Sequence, residues 1–119
     1  MTTIVIISHS EDIANGTKVL LNQMVNGVKI VSHGGTQGGI GTSFDDVSQV
    51  IQSLEEDALC FYDIGSAEMN LEMAIDMYDG PHRVVKVDAP IVEGSFVAAV
   101  DASVGQSIDD ILKDIATRF

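Results

Sequence analysis

Apolar residues along the chain fall into two alternating kinds of pattern. Four short runs, 3–8 (TIVIIS), 28–32 (VKIVS), 58–63 (ALCFYD) and 83–87 (RVVKV), are rich in valine and isoleucine and nearly continuous rather than alternating. Such runs predict strands buried on both faces of a parallel sheet, because a strand with one wet face alternates. Between them the apolar residues recur at helical spacing. Ile13, Leu20 and Met24 with Ala14 and Leu21 make one stripe, and Val47, Val50, Ile51 and Leu54 a second. Met69, Met73 and Met77, with Leu71 and Ile75 beside them, make a third, read as core or interface packing rather than a cofactor box. Ile108, Ile111, Leu112, Ile115 and Phe119 repeat the spacing near the C-terminus. Pro90 suits the first turn of a further helix carrying Val92, Phe96, Val97 and Val100. The order β-α-β-α-β-α-β-α-α, with right-handed crossovers, predicts a three-layer α/β/α sandwich around a small, mostly parallel four-stranded sheet, in one domain over residues 1–119. Four strands leave at least one sheet edge open, which a homodimer would cover.

Composition narrows the function classes. The chain has 119 residues, 45% of them hydrophobic, enough for a core of its own. No run approaches the roughly 20 apolar residues that span a bilayer, and no signal-peptide pattern is present. The single cysteine, Cys60, sits in an apolar run, which excludes an intramolecular disulfide and suits the reducing cytoplasm. Six Lys+Arg stand against eighteen Asp+Glu, a formal net charge of −12. That argues against nucleic acid and anionic membranes as partners, since both need a cationic face. The acidity is either a solvated surface that maintains solubility or a field that steers in a basic protein.

Chemistry collects where the strands end. In a parallel sheet the carboxyl ends of all strands share one edge. There the sequence places SHSED after the first strand, HGGTQGGIGTSFDD after the second, DIGSAEMN after the third and DAPIVEG after the fourth. His9 therefore meets a glycine-rich loop and Asp63 with Gly65 and Ser66. Ser10, Glu11 and Asp12 read as the start of the first helix, whose first-turn N–H groups could receive an anion. Thr42 or Ser43 would cap the second helix. The glycine loop lacks the lysine of a P-loop and follows the second strand, so it is not a dinucleotide fingerprint; by itself it is either a flexible connection or a phosphate cradle. His9 is equally either a packed strand-end histidine or a nucleophile. Asp63 favours the latter: a carboxylate bonded to one imidazole nitrogen fixes the tautomer and frees the other for attack on phosphorus. As a structural residue Asp63 would cap the third helix, and both roles can coexist. His33 opens the glycine loop and stands near this edge, whereas His82 belongs to the opposite one. A His9/His33/Asp63 metal site is conceivable, but no HxH or HExxH spacing supports it, and none is assigned.

The stretches IVIISHSEDIANGTKVLLNQM, GGTQGGIGTSFDDVSQVI, FYDIGSAEMNLEMA and DAPIVEGSFVAAV together resemble DhaM, the phosphotransferase subunit of bacterial dihydroxyacetone kinases, itself related to the mannose-type EIIA domains of the sugar phosphotransferase system. The resemblance spans essentially the whole chain, and the A-P-I-V-E-G segment separates it from the sugar-transport relatives. It implies that His9 is the phosphorylated histidine, with Nε2 the attacking nitrogen, and that Asp63 is the acidic residue beside it. It further implies that Ser10, Gly39, Thr42, Gly65 and Ser66 hold the phosphoryl oxygens. The phosphoryl group would arrive from HPr and pass to ADP bound on DhaL, which passes it to dihydroxyacetone on DhaK. The resemblance implies a homodimer, no cofactor and a cytoplasmic location. Because the chain ends at residue 119, it implies a single-domain form that relies on a separate HPr.

Three other readings share some of these features. A sugar-specific mannose-type EIIA has the same chemistry and an EIIB partner. A response-regulator receiver would use Asp63 as phosphoacceptor and Lys86 beside it, but needs an acidic pair where the chain reads Ser8-His9. A non-enzymatic, flavodoxin-like nucleotide binder would carry no phosphorylated form.

Overall fold

The carboxyl ends of the first three strands, which carry Ser8–Asp12 and Asp63–Ser66, are set in place by a parallel sheet with helices on both faces. The computed structural model describes residues 1–119, in the order β1 (Thr2–Ser8), α1 (Glu11–Met24), β2 (Ile30–Gly34), α2 (Phe44–Gln52), β3 (Asp57–Tyr62), α3 (Ser66–Asp76), β4 (Val84–Lys86), α4 (Ile91–Ser103) and α5 (Ile108–Arg118). The strands lie in the order β2-β1-β3-β4, and every pairing is parallel. Ile4 and Ile6 of β1, with Leu59 and Phe61 of β3, face α1, α4 and α5; Val5, Ile7, Ala58 and Cys60 face α2 and α3. The unbroken apolar runs of β1 and β3 are thus explained by burial on both faces. Phe61 is fully buried, and removing a side chain of that size from water contributes roughly 1.5–3 kcal/mol.

Strand boundaries differ from the expected ones by a residue or two. β2 runs through Ser32, His33 and Gly34 rather than ending at residue 32. It is an edge strand, half-exposed at Ser32 and His33, so polar side chains do not stop it, and its register continues from Ile4–Ile30 to Ser8–Gly34.

Three helices bury a face that overlaps only in part with the stripe read from bulk: Ala14, Leu21 and Leu71 are buried as expected, and the larger residues beside them are not. In α1 the sheet receives Ala14, Thr17 and Leu21, while Ile13, Leu20 and Met24 are exposed. In α3 the buried residues are Ala67, Leu71 and Ala74, and Met69, Met73 and Met77 face solvent rather than a core. In α4 they are Gly94, Ser95, Ala98, Ala99 and Ala102, with Val92, Phe96 and Val97 half-buried and Val100 exposed. The cause is common to all three. A helix lying on a sheet approaches closest through its smallest side chains, so large apolar residues are pushed to the flanks. The stripes of α2 and α5 behave as expected at Val47 and Ile51 and at Ile108, Ile111 and Ile115, although Phe119 at the end is half-exposed.

No helix is long and apolar enough to cross a membrane.

Candidate active site

The register of β1 on β3 builds the site. Ile7 is paired with Tyr62, so the next residues of each strand, Ser8-His9 and Asp63, emerge side by side. Asp63 follows β3 rather than belonging to it. Its Oδ1 receives the His9 ring at 3.0 Å from Nδ1 and the Ile64 N–H at 2.7 Å; its Oδ2 accepts from the Ser8 hydroxyl at 2.5 Å. The His9 backbone N–H adds longer bonds of 3.3 and 3.2 Å to the two oxygens. Burial would raise the Asp63 pKa, but the bonds from Ser8, from the His9 ring and from the two backbone N–H groups outweigh it and hold the carboxyl below its ordinary range. Asp63 is a carboxylate with its lone pairs occupied. Seated among donors, it is an orienting group and not the free phosphoacceptor a receiver would present.

The carboxylate determines the direction of every hydrogen bond beyond it. Only a protonated Nδ1 can donate to Asp63, so in neutral His9 the Nε2 lone pair is an acceptor. The Ser66 hydroxyl lies 3.0 Å from Nε2 and donates to it. Ser66 Oγ in turn stands 2.8 Å from Thr42 Oγ1, and Thr42 Oγ1 accepts from the Asn70 amide nitrogen at 2.7 Å. With an amide donor at one end and a carboxylate at the other, the chain reads in one direction, Asn70 to Thr42 to Ser66 to His9 to Asp63. In that tautomer Nε2 is oriented and is capped by a hydroxyl that can turn away.

Gly65 makes this approach possible. Its backbone sits at φ 55° and ψ −123°, and a Cβ there would lie 3.3 Å from Nε2 and 3.4 Å from Cε1 of His9. Only glycine adopts that conformation freely and leaves the Nε2 side of the ring open. α3 begins immediately after it, so the N-terminal end of that helix, with its positive partial charge, lies beside Nε2.

The glycine loop is tied to the same residue. The Gly41 N–H donates to the His9 carbonyl at 2.8 Å, and the Gly35 N–H to the Ser8 carbonyl at 3.3 Å. Gly34 passes so close to the start of α1 that a Cβ would stand 2.3 Å from the Ser10 carbonyl oxygen. Thr42 thus reaches the network, whereas Ser43 caps α2, its hydroxyl accepting from Asp46 N–H. Gly39 and Ser10 serve differently. Gly39 exchanges both backbone bonds with Thr36, closing a tight turn. The Ser10 hydroxyl caps α1 by accepting from Ile13 N–H, and its own N–H donates to Ser8 Oγ. Of the seven residues singled out in the sequence, His9, Asp63, Thr42, Gly65 and Ser66 come together around the imidazole, and Gly39 and Ser10 shape the loop and helix that frame it.

Two residues of the network were not anticipated. Ser8, fully buried, bridges Asp63 and the Ser10 N–H; it stood inside the quoted S-H-S. Asn70 lies one helical turn beyond Ser66 and joins through Thr42. His33 does not join: its Nε2 faces Asp46 Oδ2 at 3.7 Å in a cavity of about 410 Å³ between β2 and α2. His82 is at the opposite edge, 3.8 Å from Asp57. Lys86 does not approach Asp63 as in a receiver. Its ammonium is taken by Glu68 at 2.7 Å, Glu72 at 3.2 Å and Asp88 at 3.8 Å. Cys60 is buried, and burial pushes its thiol up to about 12, so it is no nucleophile.

Residues 3–112 match the EIIA-man family, described as the PTS system fructose IIA component. The chain is 37% identical to the "PEP-dependent dihydroxyacetone kinase 1, phosphoryl donor subunit DhaM" of Listeria innocua, over 96% of this chain and 92% of that one. It is also 37% identical to the "PTS-dependent dihydroxyacetone kinase, phosphotransferase subunit DhaM" of Lactococcus lactis, over 94% and 91%. Among solved structures, EF1359, a protein of unknown function, superposes with a TM-score of 0.86 at 32% identity, over 98% of this chain and 93% of that one. An EIIA component from Streptococcus agalactiae shares the fold, with a TM-score of 0.65 at 18% identity, over 98% of this chain and 91% of that one.

Proposed function

The chain belongs to the EIIA-man family, in its DhaM branch, and from that premise we propose that it is a phosphohistidine carrier in which His9 accepts a phosphoryl group from HPr and delivers it to ADP held on the DhaL subunit of a dihydroxyacetone kinase. The observation that carries the reading is the ring of His9, clamped at Nδ1 by Asp63 at 3.0 Å and open at Nε2 beside Gly65. The Nε2 lone pair attacks phosphorus in line with the donor's P–N bond. A P–Nε2 bond forms as the donor bond breaks, and the donor leaves as a neutral imidazole whose other nitrogen already carries its proton. The Nδ1 proton stays between His9 and Asp63, whose charge balances the positive charge gained by the ring. Ser66, displaced from Nε2, turns its O–H to a phosphoryl oxygen, and Thr42 follows. Delivery to ADP runs the same steps in reverse order with a phosphate oxygen as nucleophile. DhaK takes part only indirectly, through DhaL. The domain spans residues 1–119 and works as a homodimer, with no cofactor.

His9→Ala is expected to abolish labelling by phosphoenolpyruvate, Enzyme I and HPr. The label on the parent chain should be acid-labile and stable to base, and should chase into ADP on DhaL but not into a mannose-type EIIB. A His9→Ala chain that labels normally would remove His9 from the reaction; a chase into EIIB alone would assign the chain to sugar transport.

A further inference from the structure

Asn70 reaches His9 only through two hydroxyls, yet it decides where their protons lie. It is half-buried on α3, one turn beyond Ser66 and on the same helical face. Thr42 and Ser66 each carry one O–H proton, and across the 2.8 Å contact between them either oxygen can donate. The group at the far end breaks that tie. Asn70 Nδ2 stands 2.7 Å from Thr42 Oγ1 and only donates. Asn70 and Ser66 are the two partners of Thr42 Oγ1, so the Thr42 proton goes to the Ser66 oxygen. The Ser66 proton then goes to Nε2, 3.0 Å away. With the amide turned over, Oδ1 toward Thr42, both protons would point toward α3 and the Ser66 lone pairs would face Nε2. Nε2 would then need a proton of its own while Nδ1 donates to Asp63, and such a ring has no lone pair with which to attack.

We propose that Asn70 is a positioning residue for phosphoryl exchange: through Thr42 and Ser66 it aims a hydroxyl proton at Nε2, so that the free ring offers a lone pair there and the same hydroxyl becomes a donor to the group once it is bound. The consequence for rate rests on the carrier reading above; the consequence for the ring does not. Asp63 is the one charged group bonded to the ring, and it holds Nδ1 whichever way the hydroxyls run. Asn70 therefore governs Nε2 and leaves Nδ1 alone. The effect is transmitted by hydrogen bonds that polarise one another along the chain, which makes it dependent on Thr42.

Asn70→Asp tests this, because it exchanges the donor for an acceptor of nearly the same shape. Thr42 then donates to the carboxylate, Ser66 donates to Thr42, and Nε2 gains a partner for an N–H. Two readouts apply. Nitrogen NMR of the unphosphorylated chain, at a pH where the parent shows Nε2 without a proton, should show Nε2 protonated in Asn70→Asp and Nδ1 protonated in both. Labelling by phosphoramidate, which transfers its phosphoryl group to Nε2 and leaves as ammonia, should slow about tenfold, the scale of one net hydrogen bond, and should recover as pH rises and the Nε2 proton is lost. Asn70→Ala, with no group to direct the Thr42 proton, should fall between the two on both readouts. A double-mutant cycle separates the hydrogen bonds from the added charge. In a Thr42→Ala background the chain is already cut, so Asn70→Asp should change neither the ring nor the rate further. A parental Nε2 signal in Asn70→Asp, or the same loss with and without Thr42, would overturn the positioning role. A parent chain that phosphoramidate does not label at His9 would instead overturn the carrier reading, and the ring signal would still decide the role of Asn70.

Discussion

Gly65→Ala tests the geometry of the site most directly, because its two effects have separate magnitudes. The first is conformational. At φ 55° and ψ −123° an alanine occupies a region open essentially to glycine alone, at a cost of about 1–3 kcal/mol. For a chain of 119 residues each kcal/mol lowers Tm by roughly 3–6 °C. The second effect is local. The new methyl would sit 3.3 Å from Nε2, a tolerable contact for a bare ring but one that occupies the space an incoming phosphoryl group needs. Misplacing a reacting group by about 1 Å can cost about a hundredfold in rate, so labelling of His9 by phosphoramidate should fall by about that factor, well beyond the change in folded fraction. Calorimetry gives the first number and timed labelling at a temperature where both chains are folded gives the second. A variant with Tm within about 1 °C of the parent and a labelling rate within about twofold would refute both the strain and the approach.

Two further predictions concern carboxylates. Asp63→Ala should slow His9 labelling by roughly a hundredfold without abolishing it, since Asp63 orients the ring and does not react; an unchanged rate would remove it from the mechanism. Because folding holds the Asp63 pKa down, its stabilisation is complete above the ordinary carboxylate range and is lost as pH falls through the lowered value, so the Tm gap between parent and Asp63→Ala should close in strong acid. Asp101 behaves in the opposite sense: burial and neighbouring Asp114 push it up to about 6. Its folded form keeps a proton that the unfolded form releases near pH 4, so stability is greatest in acid and declines as pH rises through 6. Asp101→Asn should raise Tm at pH 8 and leave it nearly unchanged at pH 4; an equal shift at both would contradict the assignment.

The layer order and the edge that carries the site were legible because they depend on β1 and β3, whose apolar runs admit one interpretation. The helix faces were harder to read. Ile13 and Met69 are larger and more apolar than Ala14 and Ala67, yet the alanines face the sheet, because proximity of backbones rather than side-chain bulk decides the fit of helix on strand. At the site, His9, Asp63 and Ser66 could be inferred from topology, since adjacent strand ends must meet. Ser8 could not, because a serine closing a buried strand carries no periodic signal, and its role exists only once Ile7 is registered against Tyr62. Asn70 was hidden for a different reason: its partner, Thr42, lies on a loop whose path the glycines left undetermined. Gly39 and Ser10 show the reverse case, residues in the right place whose polar groups are already committed to a turn and a helix cap.

The side chains around His9 have a bearing on energetics. The groups joined to its ring are a carboxylate and a hydroxyl, supported by Ser8, Thr42 and Asn70, while Lys86 is neutralised by three carboxylates elsewhere. A lysine or arginine clamped on the bound group would deepen its energy well by the strength of a charge-assisted bond, about 1.5–3 kcal/mol, and every such increment would be subtracted from the drive to pass it on. Hydroxyls and backbone amides hold it more lightly. On the proposed function, the phosphorylated form keeps a high group-transfer potential, with equilibrium constants toward donor and acceptor near unity. The direction of flow is then set by the supply of phosphorylated donor and the demand for acceptor, and not by the carrier itself.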